Sequence, residues 1–504
     1  MASTISAPVA GLADLRRQRR IGLTGSLLMA IGATGAGALP SPNPLAGVRV
    51  LGLPARMMTP SLALVYAGAV LVVVAWVRTA RIVRDGPVSV PTGAHLVGTA
   101  VGWALPLAVA PPLFSRDVYA ALAQGAMVER GVDPYTAGPA ALGLDHPLVR
   151  GVAELWRDQP SPYGPLWTLV ERVITGVTGS DPVLGVIGHR VVALAGSVAI
   201  AWAVPRLARR CGVDPVRAFW WGPAHPLVLF HLVSAVHPEA LMLGMVLVGL
   251  ELTARSGRAR VLGMVLLAAA AMVKLPMVVA VAFVGAEWAH RRGGRPRDLI
   301  GPAAALLALV VGVAVVCAAL VDLAGGRGWG WLDTLGTPGT VVTWMSLVSD
   351  TGLGLSVLTD DPGLLTTARV VGMAGGVGCL SVALLAAVRG RFGAVRGTAA
   401  GMGVLLLFAP VVQPWYLLWA LLPLAASGAA PRWAPRLVVA AAVVALVDVP
   451  SGDWYFFRGF QLVLGTVGGL AVGVAALLVA GRSATDEAAV PVRPVPVREP
   501  AGEQ

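Results

Sequence analysis

The chain has 504 residues, of which 56% are apolar and only 13% are charged, and its mean hydropathy is +0.77. Soluble domains carry about 25% charged residues, so this composition excludes a water-soluble enzyme, a disulfide-rich secreted domain and a disordered chain. The 3 cysteines are far apart and form no CxxC motif, which argues against a disulfide framework or a zinc site. What remains is a protein that crosses a membrane several times.

Apolar runs of roughly 17–25 residues mark candidate transmembrane helices. We expect an all-α polytopic membrane protein with about 14 (12–14) such helices and a large first outer loop. Proline removes a helical hydrogen bond, so we divide one long run at Lys274-Leu275-Pro276 and another at Gln413-Pro414. The predicted spans are 21–39, 60–79, 94–113, 183–204, 216–235, 238–254, 260–274, 275–289, 298–321, 364–387, 397–412, 414–428, 436–449 and 457–481.

Charge predicts the orientation of these spans. Short arginine-rich loops are expected in the cytoplasm, and an uncleaved first helix after residues 1–20 places all the most basic loops there. The formal net charge of +12 then indicates orientation and contact with anionic membrane lipid, not a nucleic-acid partner. Residues 21–481 form one transmembrane domain in the plasma membrane, and 483–504 read as a disordered cytoplasmic tail.

Two long outer loops, 114–182 and 322–363, are expected to cover a site that faces outward. Polar residues in a membrane are costly and usually functional, and five polar breaks reach this outer level. They are Ser115-Arg116-Asp117-Val118-Tyr119, Ser161-Pro162-Tyr163-Gly164-Pro165, His237-Pro238-Glu239, Lys274-Leu275-Pro276 and Gln413-Pro414-Trp415-Tyr416.

Each break also has a plainer interpretation. Arg116 and Asp117 can form an interfacial ion pair, and Glu239 can belong to a solvated turn. The two aromatic residues after Gln413-Pro414 can belong to the aromatic belt at the membrane surface. Lys274 is the sole lysine and has no acid beside it in sequence. It either extends to the interface or provides a cation for a phosphate at membrane depth.

A carboxylate, nearby cations and aromatic rings at the outer surface suit sugar transfer from a lipid phosphate. The carboxylate takes a proton from the acceptor hydroxyl, and the cation stabilises the departing phosphate. The chain has no Walker A, GxGxxG, HExxH or GxSxG motif, and no metal or other cofactor is expected.

Several stretches resemble the actinobacterial polyprenol-phosphomannose-dependent α-1,6-mannosyltransferases of lipomannan and lipoarabinomannan biosynthesis. The most specific are SRDVYAALAQGAMVERGVDPYTAGPAALG (115–143) and LWRDQPSPYGPLW (155–167). Supporting similarity lies in WAVPRLARRCGVDP (202–215), HPLVLFHLVSAVHPEALMLG (225–244), VKLP (273–276) and VQPWYLLWAL (412–421).

This resemblance implies a GT-C glycosyltransferase that moves mannose from polyprenyl-phosphate mannose to an α-1,6-mannan lipoglycan with inversion. Asp117 matches the acidic catalytic residue that GT-C enzymes carry in the first outer loop, and it is the expected general base. Arg116 and Lys274 are expected at the donor phosphate. In the family an Asn-Asp pair follows the histidine, where this chain has Pro238-Glu239. The expected sugar- and acceptor-binding residues are Tyr119, Tyr135, Ser161, Tyr163, His237, Glu239, Gln413, Trp415 and Tyr416.

Three other functions stay open at this point. Another GT-C enzyme, such as an arabinosyltransferase with a decaprenyl-phosphate donor, would share the chemistry but not the pocket. A transporter or flippase would usually show inverted repeats and polar residues at the bilayer midplane, and the chain shows no evident repeat. A catalytically inactive partner of such enzymes fits poorly with an intact Asp117.

Overall fold

The computed structural model describes residues 6–50, 52–85, 90–339, 341–428, 434–453 and 459–488. Within these ranges the chain is all-helical, and no strand is present. Its α-helices are α1 (Ser6–Ala36), α2 (Leu53–Arg56), α3 (Met58–Asp85), α4 (Val90–Val109), α5 (Asp117–Glu129), α6 (Glu154–Arg157), α7 (Pro165–Thr178), α8 (Pro182–Arg210), α9 (Pro215–Trp221), α10 (Glu239–Thr253), α11 (Gly257–Ala271), α12 (Val278–Arg292), α13 (Ile300–Leu323), α14 (Leu347–Thr359), α15 (Gly363–Val388), α16 (Ala394–Phe408), α17 (Leu417–Ser427), α18 (Ala434–Val444) and α19 (Gly459–Ala488).

Short segments of tighter or wider helix join several of these elements. A π-helical segment, Val228–Ser234, precedes α10. The 3₁₀ segments are Pro139–Leu142, Leu275–Met277, Pro296–Leu299, Gly330–Gly339 and Pro414–Tyr416. Two of them occupy the proline breaks predicted near residues 274 and 414, so both divisions of the long apolar runs are confirmed.

Length and composition identify fewer clear membrane spans than the sequence reading predicted. Among the described residues, 6 helices are long and apolar enough to cross a membrane: Met58–Arg84, Thr92–Val109, Pro182–Arg210, Pro296–Leu323, Gly363–Val388 and Gly459–Leu478. A seventh span is added if the π-helical segment and α10, which meet at an angle of 112°, count as one. The protein is therefore an all-helical, multi-pass membrane protein, and a count of about 14 is not confirmed.

Breaks in the helices explain much of the difference in count. The expected span 216–235 divides into α9 and the π-helical segment, while α11, α12, α16 and α17 have only 11–15 residues each. Each of these helices is too short to span the hydrocarbon core alone, so length and composition do not count it among the clear spans.

The outer loops contain more regular structure than their composition suggests. The first, 114–182, holds α5, α6 and α7, and the second, 322–363, holds α14. At the carboxyl end, α19 continues to Ala488, so helix covers the beginning of the expected tail; residues 489–504 lie outside the described ranges.

Close packing of small residues brings the central helices together. A Cβ atom on Gly196 of α8 would lie 2.3 Å from the carbonyl oxygen of Ala240 in α10, and one on Gly244 would lie 2.9 Å from the carbonyl of Gly196. Small residues let membrane helices approach to backbone contact. Because Ala240 follows Glu239 directly, this contact fixes the start of α10, where the predicted site residues lie.

Candidate active site

A distorted backbone places Asp117 at the start of α5. Phe114 has a φ of 68°, a left-handed conformation that is uncommon for a residue with a side chain. Its N–H donates to the carbonyl of Pro450 at 2.9 Å, which ties the turn to the carboxyl-terminal part of the chain. The Asp117 N–H donates to Ser115 Oγ at 3.1 Å. The carboxylate is thus fixed at a helix start and directed away from the preceding span.

A second distortion places His237 and Glu239 beside it. Val236 has a φ of 64°, which for a β-branched residue is a genuine outlier, and it lies two residues after the end of the π-helical segment. The N–H of His237 donates to the carbonyl of His231 at 3.2 Å. Pro238 then begins the turn into α10. Such backbone strain is typical of functional sites.

Lys274 forms the cationic centre of the site. Its Nζ donates to Glu239 Oε1 and to the hydroxyl of Tyr416, both at 2.9 Å. The same atom lies 5.1 Å from the ring centroid of Tyr163 and 5.3 Å from that of Trp419. The Lys274 side chain is 11% exposed and that of Glu239 is 0% exposed. Glu239 is therefore not part of a solvated turn, and Lys274 has an acid partner that its sequence neighbours do not provide.

Asp117 and His237 complete the same cluster. His237 Nδ1 lies 3.5 Å from Asp117 Oδ2, and the imidazole stacks on the indole of Trp415 with 3.8 Å between ring centroids. The Asp117 side chain is 21% exposed. Burial, and then the charge of Glu239, raise the pKa of Asp117 to about 6, against the opposing effects of Ser115 and Lys274. The group is ionised at neutral pH but is a stronger base than an ordinary aspartate.

A cleft opens above this cluster. Asp117 and Gln124 lie on its floor along α5, and Trp156, Tyr163 and Trp415 are among its walls. Gln413 and Tyr416 also line it. An ionised carboxylate below aromatic faces and amide groups suits a sugar ring, which presents both apolar faces and hydroxyl groups. Besides the Asp117 carboxylate, seven polar or aromatic side chains line the cleft.

The fold therefore brings most of the predicted site residues together. Residues from five separate stretches of the sequence meet around Lys274 and Asp117. They are Asp117, Tyr163, His237, Glu239, Lys274, Gln413, Trp415 and Tyr416.

Four predicted residues point elsewhere. The Arg116 guanidinium donates to the carbonyls of Leu39 and Gly151 and lines a second cavity. The Tyr119 hydroxyl donates to the carbonyl of Ala38 at 2.8 Å. In the same way, the Tyr135 hydroxyl shares a hydrogen bond with Thr168 at 2.7 Å, while Ser161 is buried and its N–H donates to the carbonyl of Pro134. These contacts hold the first outer loop in place around the cleft.

The sequence reading missed two residues next to the cluster. His231 Nε2 lies 3.3 Å from Asp448 Oδ2, and the His231 ring is 5.8 Å from that of His237 between centroids. Both residues lie inside predicted spans, Asp448 in 436–449 and His231 in 216–235. Because an ionisable residue inside a predicted span indicates function, this signal identifies both of them.

Within the described ranges, no group of three or more His, Cys, Asp or Glu side chains could hold a metal ion.

Comparisons with known proteins match the sequence of this chain to one family. Residues 19–290 match the model of the α-(1→6)-mannopyranosyltransferase N-terminal domain, and residues 340–479 match that of the MptB C-terminal domain. No solved structure matches the chain.

Curated relatives agree over nearly the whole chain. A probable α-(1→6)-mannopyranosyltransferase of Mycolicibacterium smegmatis is 39% identical over 91% of this chain and 87% of its own length. An α-(1→6)-mannopyranosyltransferase of Mycobacterium tuberculosis is 37% identical, covering 90% and 85%. The α-(1→6)-mannopyranosyltransferase B of Corynebacterium glutamicum is 34% identical, covering 92% and 81%. The chain thus belongs to the α-(1→6)-mannopyranosyltransferase family and is a membrane-embedded glycosyltransferase that transfers mannose.

Proposed function

We propose that the protein is a GT-C enzyme that transfers mannose from polyprenyl-phosphate mannose to the 6-hydroxyl of an α-(1→6)-mannan lipoglycan, with inversion. The observation that carries this proposal is the position of Asp117: a partly exposed carboxylate on the floor of an aromatic cleft, beside a buried lysine. A lipid-linked donor keeps its tail in the bilayer while its head group enters such a cleft.

The transfer is a single displacement at the anomeric carbon. Asp117 takes the proton of the acceptor hydroxyl as its oxygen forms the new bond to C1. The bond between C1 and the phosphate oxygen breaks, and the electron pair leaves with the polyprenyl phosphate. One bond forms and one breaks on opposite faces of the sugar, so a β-linked donor gives an α-linked product.

Lys274 is the group we assign to the leaving phosphate. Its ammonium interacts electrostatically with Asp117 and is already oriented by Glu239 and Tyr416. A cation fixed before the reaction stabilises developing negative charge without having to reorganise. Arg116 is a weaker candidate for this role than the sequence suggested, because carbonyl groups hold its guanidinium at a different cavity.

The aromatic side chains are assigned to the two sugars. Tyr163, Trp415 and Tyr416 present ring faces in the cleft, and Gln413 and Gln124 add amide groups. His237 contacts Asp117 from behind, where it orients the carboxylate. Glu239 acts through Lys274, because its own carboxylate is fully buried against that amine.

The orientation of the site completes the proposal. The arginine-rich loops lie at the opposite ends of the helices from Asp117, so the site faces the outside of the plasma membrane and both termini are cytoplasmic. An outward site matches an acceptor that is part of the cell envelope.

The deciding experiment is mannose transfer in purified protein with labelled polyprenyl-phosphate mannose and a short α-1,6-mannoside. Asp117→Asn keeps the size of the side chain but cannot accept the proton, and we expect transfer to fall roughly 10²–10⁴-fold. The matched control is Asp145→Asn, which changes a fully exposed aspartate of the same outer loop and leaves the rate unchanged. Transfer at the wild-type rate by Asp117→Asn would show that the base is another group.

Two further arms test the donor and the reaction class. Decaprenyl-phosphate arabinose is offered in place of the mannose donor, and labelled sugar-lipid uptake is measured in proteoliposomes. Transfer of arabinose but not mannose would overturn the donor assignment. Uptake without any transfer would overturn the enzymatic assignment in favour of transport.

A further inference from the structure

A second aspartate–histidine pair lies behind the first. His231 Nε2 is 3.3 Å from Asp448 Oδ2, while His237 Nδ1 is 3.5 Å from Asp117 Oδ2. Both histidine side chains are fully buried, and the Asp448 side chain is 15% exposed. The order Asp117, His237, His231, Asp448 therefore runs from the cleft through a buried interior to a second carboxyl group that is partly exposed.

Shared contacts hold the two pairs side by side. The His231 and His237 rings lie 5.8 Å apart between centroids, and Trp415 contacts both, at 5.4 Å and 3.8 Å. The N–H of His237 also donates to the carbonyl of His231. Two polar groups at such a separation can be linked through one bridging water.

The side chains of the two aspartate–histidine pairs have unused hydrogen-bonding capacity. Neither ring nitrogen of His231 or of His237, nor Asp448 Oδ2, has an aligned hydrogen bond to any of the described residues. Buried polar atoms are almost always hydrogen-bonded, so such a cluster requires an explanation such as ordered water or a catalytic role. Each pair is separated by 3.3–3.5 Å, so a small rotation of the imidazole would align it as the hydrogen bond along which a proton moves.

The reaction itself creates a need for this route. Each transfer leaves one proton on Asp117, and while acceptor and donor fill the cleft they cover the exposed side of this carboxyl group. His237 contacts Asp117 from the other side. Resting on the function proposed above, we propose that His237, His231 and Asp448 form a proton path that carries the acceptor's proton from Asp117 to solvent.

The steps conserve protons throughout. Asp117 donates to one ring nitrogen of His237, and the same ring releases a proton from its other nitrogen toward His231. His231 passes a proton to Asp448 in the same manner, and Asp448 releases it to water. Each histidine begins and ends neutral, and Asp117 regains its charge for the next cycle.

The environment of Asp448 suits the last step. One oxygen of Asp448 is buried toward His231, whereas the side chain as a whole is partly exposed, so the group can take up a proton on one side and release it on the other. The titratable or charged groups that the described residues place against the path are Tyr66 beside Asp448, and Glu239, Lys274, Tyr163 and Tyr416 beside Asp117.

The first test is Asp448→Asn, which preserves the shape of the side chain but cannot carry a proton. We expect kcat to fall about tenfold, less than the roughly 10²–10⁴-fold effect of removing a direct general base, while KM for both substrates stays the same. Small permeant buffers at high concentration should restore part of the rate, and the solvent deuterium isotope effect on kcat should increase. The matched control is Asp350→Asn, an exposed aspartate of α14, which changes none of these quantities.

The second test is rescue by imidazole. His231→Ala removes one member of the path, and we expect added imidazole to restore several-fold of the lost rate by filling the space. His225→Ala is the matched control, because it removes another fully buried histidine whose ring bonds a backbone carbonyl instead of an acid. Imidazole should not rescue that variant.

The outcomes separate this inference from the proposed function. If Asp117→Asn is inactive while Asp448→Asn shows the wild-type kcat and isotope effect, the path is wrong and the base assignment stands. If Asp448→Asn fails to fold, absence of imidazole rescue in a folded His231→Ala protein overturns the path instead. If Asp117→Asn retains full activity, the assignment of Asp117 as the base in the proposed function is overturned, and the proton path that depends on it is overturned too.

Discussion

The pKa of the Asp117 carboxyl group is set by burial and by three neighbouring residues, which act in opposite directions. Burial and the charge of Glu239 raise its pKa to about 6, whereas the hydrogen bond to Ser115 and the charge of Lys274 lower it. A general base works best when its pKa lies close to the working pH without exceeding it. The balance therefore increases basicity and leaves the group ionised at pH 7.

This balance predicts a pH dependence. The acid limb of the kcat/KM profile should have its midpoint near pH 6, because Asp117 must be deprotonated. Glu239→Gln removes the charge that raises the pKa and leaves Lys274, which lowers it. The midpoint should therefore move to lower pH, by up to about one unit. The measurement is mannose transfer between pH 4.5 and 8.

The control for this shift is Glu129→Gln. Glu129 ends the same helix, α5, and lies 3.9 Å from Arg172, far along the helix from the cleft. Its neutralisation should leave the midpoint near pH 6. A midpoint that stays in place in Glu239→Gln, or one that moves to higher pH, would contradict this account of the electrostatics.

The sequence identified individual site residues but not the residues with which they are in contact. Asp117, His237 and Lys274 stand out because each is polar in an apolar setting, which costs free energy unless it has a use. The bond between Lys274 and Glu239 joins positions 35 residues apart, and that between Lys274 and Tyr416 joins positions 142 apart. No local pattern encodes such distances, so the pairing required the fold.

Two backbone hydrogen bonds between helical elements connect the first outer loop to the turn that carries Lys274. The N–H of Gly164 donates to the carbonyl of Val273, and the N–H of Leu166 to that of Met272, both at 3.0 Å. These bonds connect the start of α7 to the end of α11. The loop that contributes Tyr163 and the turn that contributes Lys274 are thereby held in one arrangement.

Gly164 is the point where this junction tolerates least change. A Cβ atom there would lie 2.3 Å from the carbonyl oxygen of Met272, and a backbone atom cannot move aside as a flexible side chain can. Gly164→Ala should therefore displace the turn before Lys274, lower transfer at least tenfold and reduce the thermal midpoint. Transfer and thermal unfolding of the purified variant measure both effects.

Gly102→Ala serves as the comparison. Gly102 lies in α4, and a Cβ atom there meets nothing within 4 Å. Alanine also favours a helix more than glycine does, by up to about 1 kcal/mol. Activity should be unchanged and the midpoint equal or slightly higher. Equal losses in the two variants would mean that the contact at Gly164 has no special importance.

The sequence predicts helices and helix breaks where their cause lies in the residues of the segment itself. The breaks at Pro276 and Pro414 follow from proline's missing N–H, and the long apolar helices α8, α13 and α15 follow from composition. The π-helical segment before His237 was not predicted, because the residues from Val228 to Ser234 read as an ordinary apolar run. Its wider winding depends on what packs around it, not on the residues themselves.

Across the whole molecule, charge divides the chain into two faces. Arginine-rich connections such as 206–217 and 255–260 lie at one end of the helices, and the aromatic cleft with Asp117 lies at the other. The formal net charge is +12, and the positive-inside rule predicts that the arginine-rich end lies in the cytoplasm.

Cysteine labelling tests this direction. In a background without Cys211, Cys317 and Cys379, Asp145→Cys should react with a membrane-impermeant maleimide in intact cells. Arg258→Cys should react only after the membrane is permeabilised. Both positions are exposed, so access to reagent is limited by the membrane alone. The reverse pattern would place the cleft in the cytoplasm.

The cleft also lies across the boundary between the two matched segments of the family. Asp117, His237 and Lys274 belong to residues 19–290, whereas Trp415 and Tyr416 belong to residues 340–479. Lys274 bonds Tyr416, His237 stacks on Trp415, and the turn before Asp117 bonds Pro450. A chimaera that joins these two segments from different family members should therefore keep its activity only where both contacts, Lys274 with Tyr416 and His237 with Trp415, are preserved.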